Sequence, residues 1–543
     1  MTVMSHAITY STADKTDVLA DLGSNGDLTA DRQRRLDGMR KDARAHQDDL
    51  DRQGVDRRLS LPDALDHLIA GRTDSDAECA GNAYHSALQH IIDHNASDPA
   101  QLGKPSTSFG LVDDAMRSLG VPADLLPHGY LFGLAQLQSV VDDSSVKPLP
   151  EPVEHRLFPS QDRAVHRRRG WAACLSMASD RIAHYEWGNG ENLRGFHTGA
   201  GWLSWWGDDY ANEQYSETFW ATVDPYRLPG ITASQKRLAD GQGGQWGAER
   251  PAVKWVGGTT DGTYAAVGQH LKGIASTLVA RKSWFFLDEG IVCLGAGVTA
   301  SDGEAVNTVI DNRRLGATGT HALTVDGRRR PGTPGWSETL TDPGWAHIAG
   351  HGGYVFPAGG RVTALREERT GRWSDIRTGS STAPCTDRYL TLYVDHGTDP
   401  VDGTYAYVML PGASAARTAA RAAGARGLLR TLANSPRAQG VRVPSLGFTA
   451  VNFWAAGTVG DLTADAPCSV LVRQRRDGTA VVCVSDPTRT LATLTVTWRH
   501  PVTSVLSRPG TVERAVPGRD LTLTFGDLTA EAGATQKVTV RTA

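Results

Sequence analysis

From about residue 160 to the end, the chain consists of short β-branched and aromatic runs separated by turn-forming residues. One Asn-Gly pair and several Asp-Gly pairs lie between these runs, and both kinds of pair favour the tight turns that join antiparallel strands. The clearest strand candidates lie at 171–177, 283–286, 291–298, 389–394, 405–410, 469–473, 480–485 and 492–498. This pattern predicts that most of the chain is antiparallel sheet, interrupted by one helical, Ala/Arg-rich tract at 413–432.

The first 145 residues have a different pattern. Apolar residues recur there at helical spacing, as at Leu61, Leu65 and Leu68, and residues 82–92 and 108–119 form amphipathic segments. The stretch 146–159 contains four prolines and little periodicity, which is typical of an extended linker. The sequence therefore predicts a mainly β protein with an N-terminal α-helical part.

Length and pattern together indicate several domains. At 543 residues, and at roughly 150 residues per domain, about three are expected. The predicted division is a helical part at 1–145, a linker at 146–159, a large central β-sandwich at 160–435 and a small antiparallel β-sandwich at 436–543.

Composition limits the possible partners and cofactors. The formal net charge of -4 gives no global positive field for nucleic acid, although a local basic cleft can still hold an acidic polymer. The six cysteines form no cluster with zinc spacing, and we interpret them as buried free thiols. No apolar run is long enough to span a membrane. We expect no cofactor, no metal, no nucleic acid and no membrane partner.

The order of short motifs after residue 160 resembles one known family. The relevant segments are VHRRRGWAACLSMASDRI at 165–182, NGEN at 189–192, GFHTG at 195–199, VDPYRLPG at 223–230, KSWFF at 282–286, LGAGV at 294–298, NTVIDNR at 307–313 and SDPT at 485–488. In this order they resemble polysaccharide lyase family 8, which contains hyaluronate, chondroitin AC and xanthan lyases. The resemblance covers residues 160–543 and implies a helical α/α toroid followed by a large central and a small C-terminal β-sandwich. Residues 1–145 would then be a remnant of that toroid.

The resemblance also implies an activity. Members cleave uronate-containing polysaccharides by β-elimination, which removes the proton beside the carboxylate and expels the glycosidic oxygen. Such a site must stabilise the enolate that develops and must supply a base, which in the family is a Tyr helped by a His, an Asn, an Arg and a Glu. The implied protein is a monomer that acts on acidic polysaccharide outside the cell. The chain as written begins without an export signal, so either its start is misplaced or the gene is shortened.

Four residues correspond to the family's catalytic groups. His6 and Tyr10 occupy the segment SHAITY, Arg72 matches the first Arg of the family's Gly-Arg motif, and Glu191 matches the family Glu. Asp76 stands where a second Arg belongs, and no residue corresponds to the Asn. His6 also fits an exposed terminal residue, and Arg72 fits an Arg on a helix surface.

Five further residues are candidates for substrate binding. Asn189 and Asn192 flank Glu191 beside a glycine, and Trp202, Trp205 and Trp206 follow closely with aromatic faces on which sugar rings stack. The polar residues either face a glycan cleft or form a satisfied turn network.

Three functions remain open from the sequence. The first is an active lyase. The second is a glycan-binding protein that keeps the sandwiches but lacks the chemistry, as Asp76 and the missing Asn suggest. The third is a hydrolase that uses carboxylates such as Asp208 and Glu213, against which the motif order argues.

Overall fold

The computed structural model describes residues 152–207, 214–316, 319 and 321–543, and of residues 425–428 it describes the backbone. All of these residues lie in the compact unit 151–543. The helices predicted within 1–145 lie outside the described residues. None of the described helices is long and apolar enough to cross a membrane.

A four-stranded sheet begins the described chain, with each strand paired antiparallel to the next. Its strands are β1 (His155–Phe158), β2 (Arg163–Arg168), β3 (Trp171–Met177) and β4 (Ala200–Gly207). The strand predicted at 171–177 is confirmed as β3. The predicted linker 146–159 is wrong at its C-terminal end, because 155–158 pairs with β2 and the His155 side chain is buried.

The central part of the chain contains two larger sheets. One has five strands in the order β13 (Ser337–Thr341), β16 (Arg361–Gly371), β17 (Cys385–Thr398), β10 (Ala305–Arg314) and β5 (Thr232–Ser234). The other has nine strands in the order β12 (Arg328–Arg329), β11 (Leu323–Val325), β14 (Trp345–Ile348), β15 (Gly352–Val355), β18 (Gly403–Pro411), β9 (Ile291–Thr299), β8 (Val279–Phe286), β7 (Ala265–Lys272) and β6 (Val256–Thr260). These two sheets and the four-stranded sheet share one apolar core.

The C-terminal part is a two-sheet sandwich. Its first sheet has the order β19 (Arg430–Asn434), β20 (Ala438–Val443), β21 (Phe448–Phe453), β24 (Cys468–Gln474), β25 (Thr479–Ser485), β30 (Gln536–Thr542) and β27 (Val502–Ser507). The second has the order β22 (Gly457–Val459), β23 (Leu462–Ala464), β26 (Leu494–Trp498), β29 (Leu521–Phe525) and β28 (Val512–Val516). A second apolar core lies between them.

Strands β7, β8 and β9 of the nine-stranded sheet are buried on both faces, which explains their continuous apolar runs. Along β7, Ala265 and Val267 face the core of the central sandwich, whereas Ala266 contributes to an apolar cluster shared with the C-terminal sandwich. Successive side chains of a strand point to opposite faces, so a strand between two layers needs apolar residues at every position. The two sandwiches are therefore packed together through a third core.

Two α-helices interrupt the described strands, α1 (Phe219–Thr222) and α2 (Ala415–Leu428). Short 3-10 turns occur at Pro159–Gln161, Gln245–Gly247, Trp373–Asp375, Pro444–Leu446 and Thr529–Glu531. The helix predicted at 413–432 exists but ends at residue 428, because residues 430–434 hydrogen-bond to β20 as an edge strand. The five described cysteines are free, as predicted, but only Cys293, Cys468 and Cys483 are buried, whereas Cys174 and Cys385 are half-buried.

Candidate glycan-binding surface around Glu191

The loop between β3 and β4 is organised by a tight turn at residues 188–191. The backbone N–H of Glu191 donates to the carbonyl of Gly188 over 2.8 Å. Asn189 and Gly190 both have positive φ, at 50° and 74°, which is the pattern of the Asn-Gly turn that joins antiparallel strands. Asn189 therefore shapes the turn, and its side chain is exposed beside that of Glu191.

The turn is held against the segment that follows β16. The N–H of Thr378 donates to the carbonyl of Gly190 over 2.7 Å, and the N–H of Leu193 donates to the carbonyl of Ile376 over 3.0 Å. A Cβ on Gly190 would lie 2.5 Å from the Thr378 hydroxyl, so only glycine allows this close approach. The loop thus has a defined position on the central sandwich.

Glu191 pairs with an arginine on that neighbouring segment. Its Oε1 lies 2.8 Å from Nη2 of Arg377, and both side chains are more than half exposed. Asn192 donates from Nδ2 to the carbonyl of Glu186 over 2.8 Å, which fixes the amide at the edge of the same surface. An anion, a cation and amides are consequently presented together to solvent.

An exposed tryptophan lies beside this loop. Trp246 is 61% exposed, and its backbone N–H donates to the carbonyl of Trp187 over 2.8 Å. Its ring packs on Gly188, where a Cβ would lie 2.5 Å from ring carbons, and its φ of 57° is unusual for a bulky residue. Such strained backbone is typical of functional sites. We call Asn189, Glu191, Asn192, Trp246 and Arg377 the Glu191 surface.

The same loop carries two buried histidines, His184 and His197. Burial lowers the pKa of His184 to about 4 and that of His197 to about 3. His197 packs edge-on against the Tyr226 ring, with centroids 4.9 Å apart, and Tyr185 donates its hydroxyl to the carbonyl of Gln242. These neutral rings support the loop from within the protein.

The three tryptophans of β4 do not form one stacking cleft with Glu191. Trp205 is 2% exposed, with its Nε1 donating to Asp311 over 2.9 Å, so its predicted role in sugar stacking is corrected to a role in the core. Trp202 is half-buried against Tyr215 and Trp220. Trp206 is 39% exposed but lies near the far end of the strand, about 20 Å beyond Ala200.

Other predicted site residues lie outside the described residues. These are His6, Tyr10, Arg72, Asp208 and Glu213. Within the described part of the chain, no cluster of His, Cys, Asp or Glu side chains has the arrangement of a metal site.

Sequence reasoning missed Trp246 and Arg377. The glycine-rich segment GQGGQWG at 241–247 was an available signal, since a tryptophan in such a segment has little apolar sequence around it to bury its ring. No comparable local signal existed for Arg377, because its proximity to Glu191 results from the packing of two distant loops.

Comparisons with known proteins agree with this fold. Residues 153–422 match the family model described as polysaccharide lyase family 8, super-sandwich domain, and residues 430–495 match its C-terminal beta-sandwich domain. The chain belongs to polysaccharide lyase family 8. Residues 4–157 match a different model, described as a domain of unknown function, DUF7691.

Individual relatives are lyases of three named kinds. A hyaluronate lyase of Thermasporomyces composti is 52% identical over 76% of this chain and 52% of its own length, and a xanthan lyase of Bacillus sp. (strain GL1) is 37% identical over 65% and 38%. The solved structure of Streptomyces coelicolor A3 chondroitin AC lyase in complex with chondroitin sulphate is 47% identical, with a TM-score of 0.69 over 89% of this chain and 58% of that one. The chain spans about half the length of the curated relatives that it matches.

Proposed function

We propose that the chain acts as a polysaccharide lyase that cleaves uronate-containing polysaccharide by β-elimination, with the Glu191 surface in contact with the substrate. The observation that carries this proposal is the meeting of Glu191, Arg377 and Trp246 on one exposed surface of a family 8 super-sandwich domain. Relatives named as hyaluronate and xanthan lyases, and a chondroitin AC lyase bound to chondroitin sulphate, support the substrate class.

The chemistry of this surface suits an acidic sugar. The Trp246 ring offers a flat apolar face for a pyranose, and the Arg377 guanidinium offers charge to a carboxylate or a sulphate. The amides of Asn189 and Asn192 can donate to sugar oxygens. Glu191 forms an ion pair with Arg377, and we assign it to orienting the residue that removes the proton rather than to removing the proton itself.

The base itself remains a prediction. Tyr10, with His6 and Arg72, is our candidate, and a helical toroid remnant at 1–145 is the corresponding domain proposal. We further propose that the protein acts as a monomer outside the cell, since large polysaccharides do not enter cells.

The decisive experiment is ultraviolet absorbance during incubation with hyaluronan, chondroitin or xanthan. β-Elimination leaves a conjugated double bond, whereas hydrolysis leaves none. We expect absorbance to rise with at least one polymer, and we expect Glu191→Gln to lower kcat about 100-fold with folding intact. Tyr10→Phe should abolish the rise, and unchanged rates in that variant would remove Tyr10 from the mechanism. New reducing ends without absorbance would contradict the lyase proposal.

A second candidate function is glycan binding without turnover. The match of residues 4–157 to a domain of unknown function favours it, because the predicted catalytic residues His6, Tyr10 and Arg72 all lie in that stretch. In that case a folded preparation would give flat absorbance with every polymer and would still bind acidic glycan in a salt-sensitive way.

A further inference from the structure

A large open cleft lies at the end of the four-stranded sheet that carries the β2–β3 turn, and none of the residues that line it belongs to the Glu191 surface. Its volume is about 1070 Å³, enough for several sugar rings. It is lined by the β2–β3 turn, the end of β4, the segment before α1, the end of β10 and the start of α2, including Arg169, Trp206, Tyr215, Glu217, Arg313 and Arg417. We call it the Trp206 cleft.

The floor of the Trp206 cleft is rigid. Asp311 accepts hydrogen bonds from Trp205 Nε1 at 2.9 Å, from Arg313 Nε at 3.0 Å and from the Tyr354 hydroxyl at 2.5 Å. All four side chains are almost fully buried. The buried Asp311 carboxylate fixes the positions of three donors. A ligand that binds in the cleft therefore does not have to rearrange these side chains.

The rim carries an exposed aromatic platform. Trp206 is 39% exposed, and its ring lies 5.3 Å from the Tyr215 ring, which itself packs edge-on against the buried Phe219. The Trp206 indole therefore rests on Tyr215, which Phe219 supports in turn, and part of the indole stays open to solvent. The supported indole has the form of a sugar-stacking platform.

Charged groups lie around this platform. Arg169 is exposed in the β2–β3 turn and, within the described residues, forms neither a hydrogen bond nor an ion pair. Arg417, by contrast, pairs with Glu289 over 2.9 Å. Arg169 is thus available to a carboxylate on a ligand, while the exposed Glu217 can accept from sugar hydroxyls.

We propose that the Trp206 cleft is a second saccharide-binding site, which holds a uronate-bearing stretch of polysaccharide on Trp206 and Arg169 away from the Glu191 surface. The ligand class rests on the proposed function, but binding in the cleft needs no catalysis. A polymer that occupied both sites would remain attached between cleavage events, whereas a short oligosaccharide would occupy one site at a time.

The test is calorimetric titration of the full chain carrying Tyr10→Phe, so that the ligand is not cleaved, with a hyaluronan hexasaccharide and with a neutral cellulose hexasaccharide as the control ligand. We expect two bound acidic hexasaccharides per chain. Trp206→Ala and Arg169→Gln should each weaken one of the two sites about tenfold, and Trp246→Ala should weaken the other. Arg437→Gln, an exposed arginine on the C-terminal sandwich, is the matched control and should change neither site.

Two results would overturn the proposal. One is an unchanged titration in Trp206→Ala when its melting temperature equals that of the parent, and the other is equally tight binding of the neutral hexasaccharide. Failure of the lyase proposal is distinguishable, since it would remove absorbance with every polymer while leaving the titration intact. With an active enzyme, Trp206→Ala should raise KM for long polymer.

Discussion

The guanidinium carbon of Arg313 lies 3.7 Å from the centre of the Trp205 ring, and both side chains hydrogen-bond to the buried carboxylate of Asp311. The ring face is therefore occupied by the protein itself. Trp206, the next residue, points to the other face of β4 and is partly exposed. Two adjacent tryptophans thus have opposite roles, one in folding and one at the surface.

This difference predicts that truncating Trp205 destabilises the protein much more than truncating Trp206. Trp205→Ala should lower the free energy of unfolding by about 3–5 kcal/mol, because it opens a cavity and leaves the Asp311–Arg313 pair without its cover. Trp206→Ala should cost less than about 1 kcal/mol. Chemical denaturation of the two variants measures both values, and equal losses would contradict the assignment.

The buried Lys282 predicts a rise in stability above neutral pH. Desolvation lowers its pKa to about 7, and its Nζ donates to the carbonyls of Ala200 and Gly230 over 2.8 and 2.7 Å. A neutral amine has two N–H groups, which match these two acceptors. Since an unfolded lysine has a pKa of about 10.4, the unfolded state binds more protons between these values, and stability rises with pH.

The measurement compares unfolding free energies at pH 7 and pH 9.5. Relative to Lys282→Met, the parent should gain on the order of 3 kcal/mol across this range. Lys236→Met, which removes an exposed lysine, serves as the control and should follow the parent. If the unfolding free energies of the parent and of Lys282→Met change with pH in parallel, Lys282 binds its proton equally in the folded and unfolded states.

The buried His197 should make the folded protein less stable as the pH falls. Its pKa is lowered to about 3 by burial, and its Nε2 has no hydrogen-bond partner among the described residues. As pH falls below about 6.5 the unfolded state takes up the proton first, so stability present above that pH is lost progressively toward pH 3. His197→Phe keeps the ring contact with Tyr226 and cannot titrate. Between pH 6.5 and 4.5, the unfolding free energy of His197→Phe should fall by about 2 kcal/mol less than that of the parent. Identical losses in the two proteins would show that His197 does not cause the acid sensitivity.

Substitution of Gly188 tests whether the position of Trp246 matters for sugar binding. A methyl group there would lie 2.5 Å from the indole ring, so Gly188→Ala must displace Trp246 without touching a ligand. We expect binding of acidic hexasaccharide to the Glu191 surface to weaken about tenfold. Gly332→Ala is the matched control, since a methyl group there meets open space. Equal affinity in both variants would indicate that Trp246 does not contact the sugar.

Much of the β architecture could be predicted from local sequence. The strand at 171–177 has its predicted bounds, and those at 283–286 and 291–298 lie within β8 and β9, because β-branched and aromatic runs between turn residues have few alternatives. The prediction from sequence failed where pairing with a neighbouring strand decides the secondary structure. Residues 155–158 became a strand by pairing with β2, and the Ala/Arg-rich tract ended early where residues 430–434 joined β20.

The sequence by itself determined the family, the strand-rich fold of residues 160–543 and the Asn-Gly turn that exposes Glu191, since motif order and turn chemistry are local properties of the chain. Only the tertiary structure decided which side chains meet. It brought Arg377 and Trp246 to Glu191 from distant loops, placed Trp205 in the core and placed Trp206 near the end of β4 that is opposite to the Glu191 loop. These outcomes depend on strand direction and loop packing, which residue spacing along the chain does not specify.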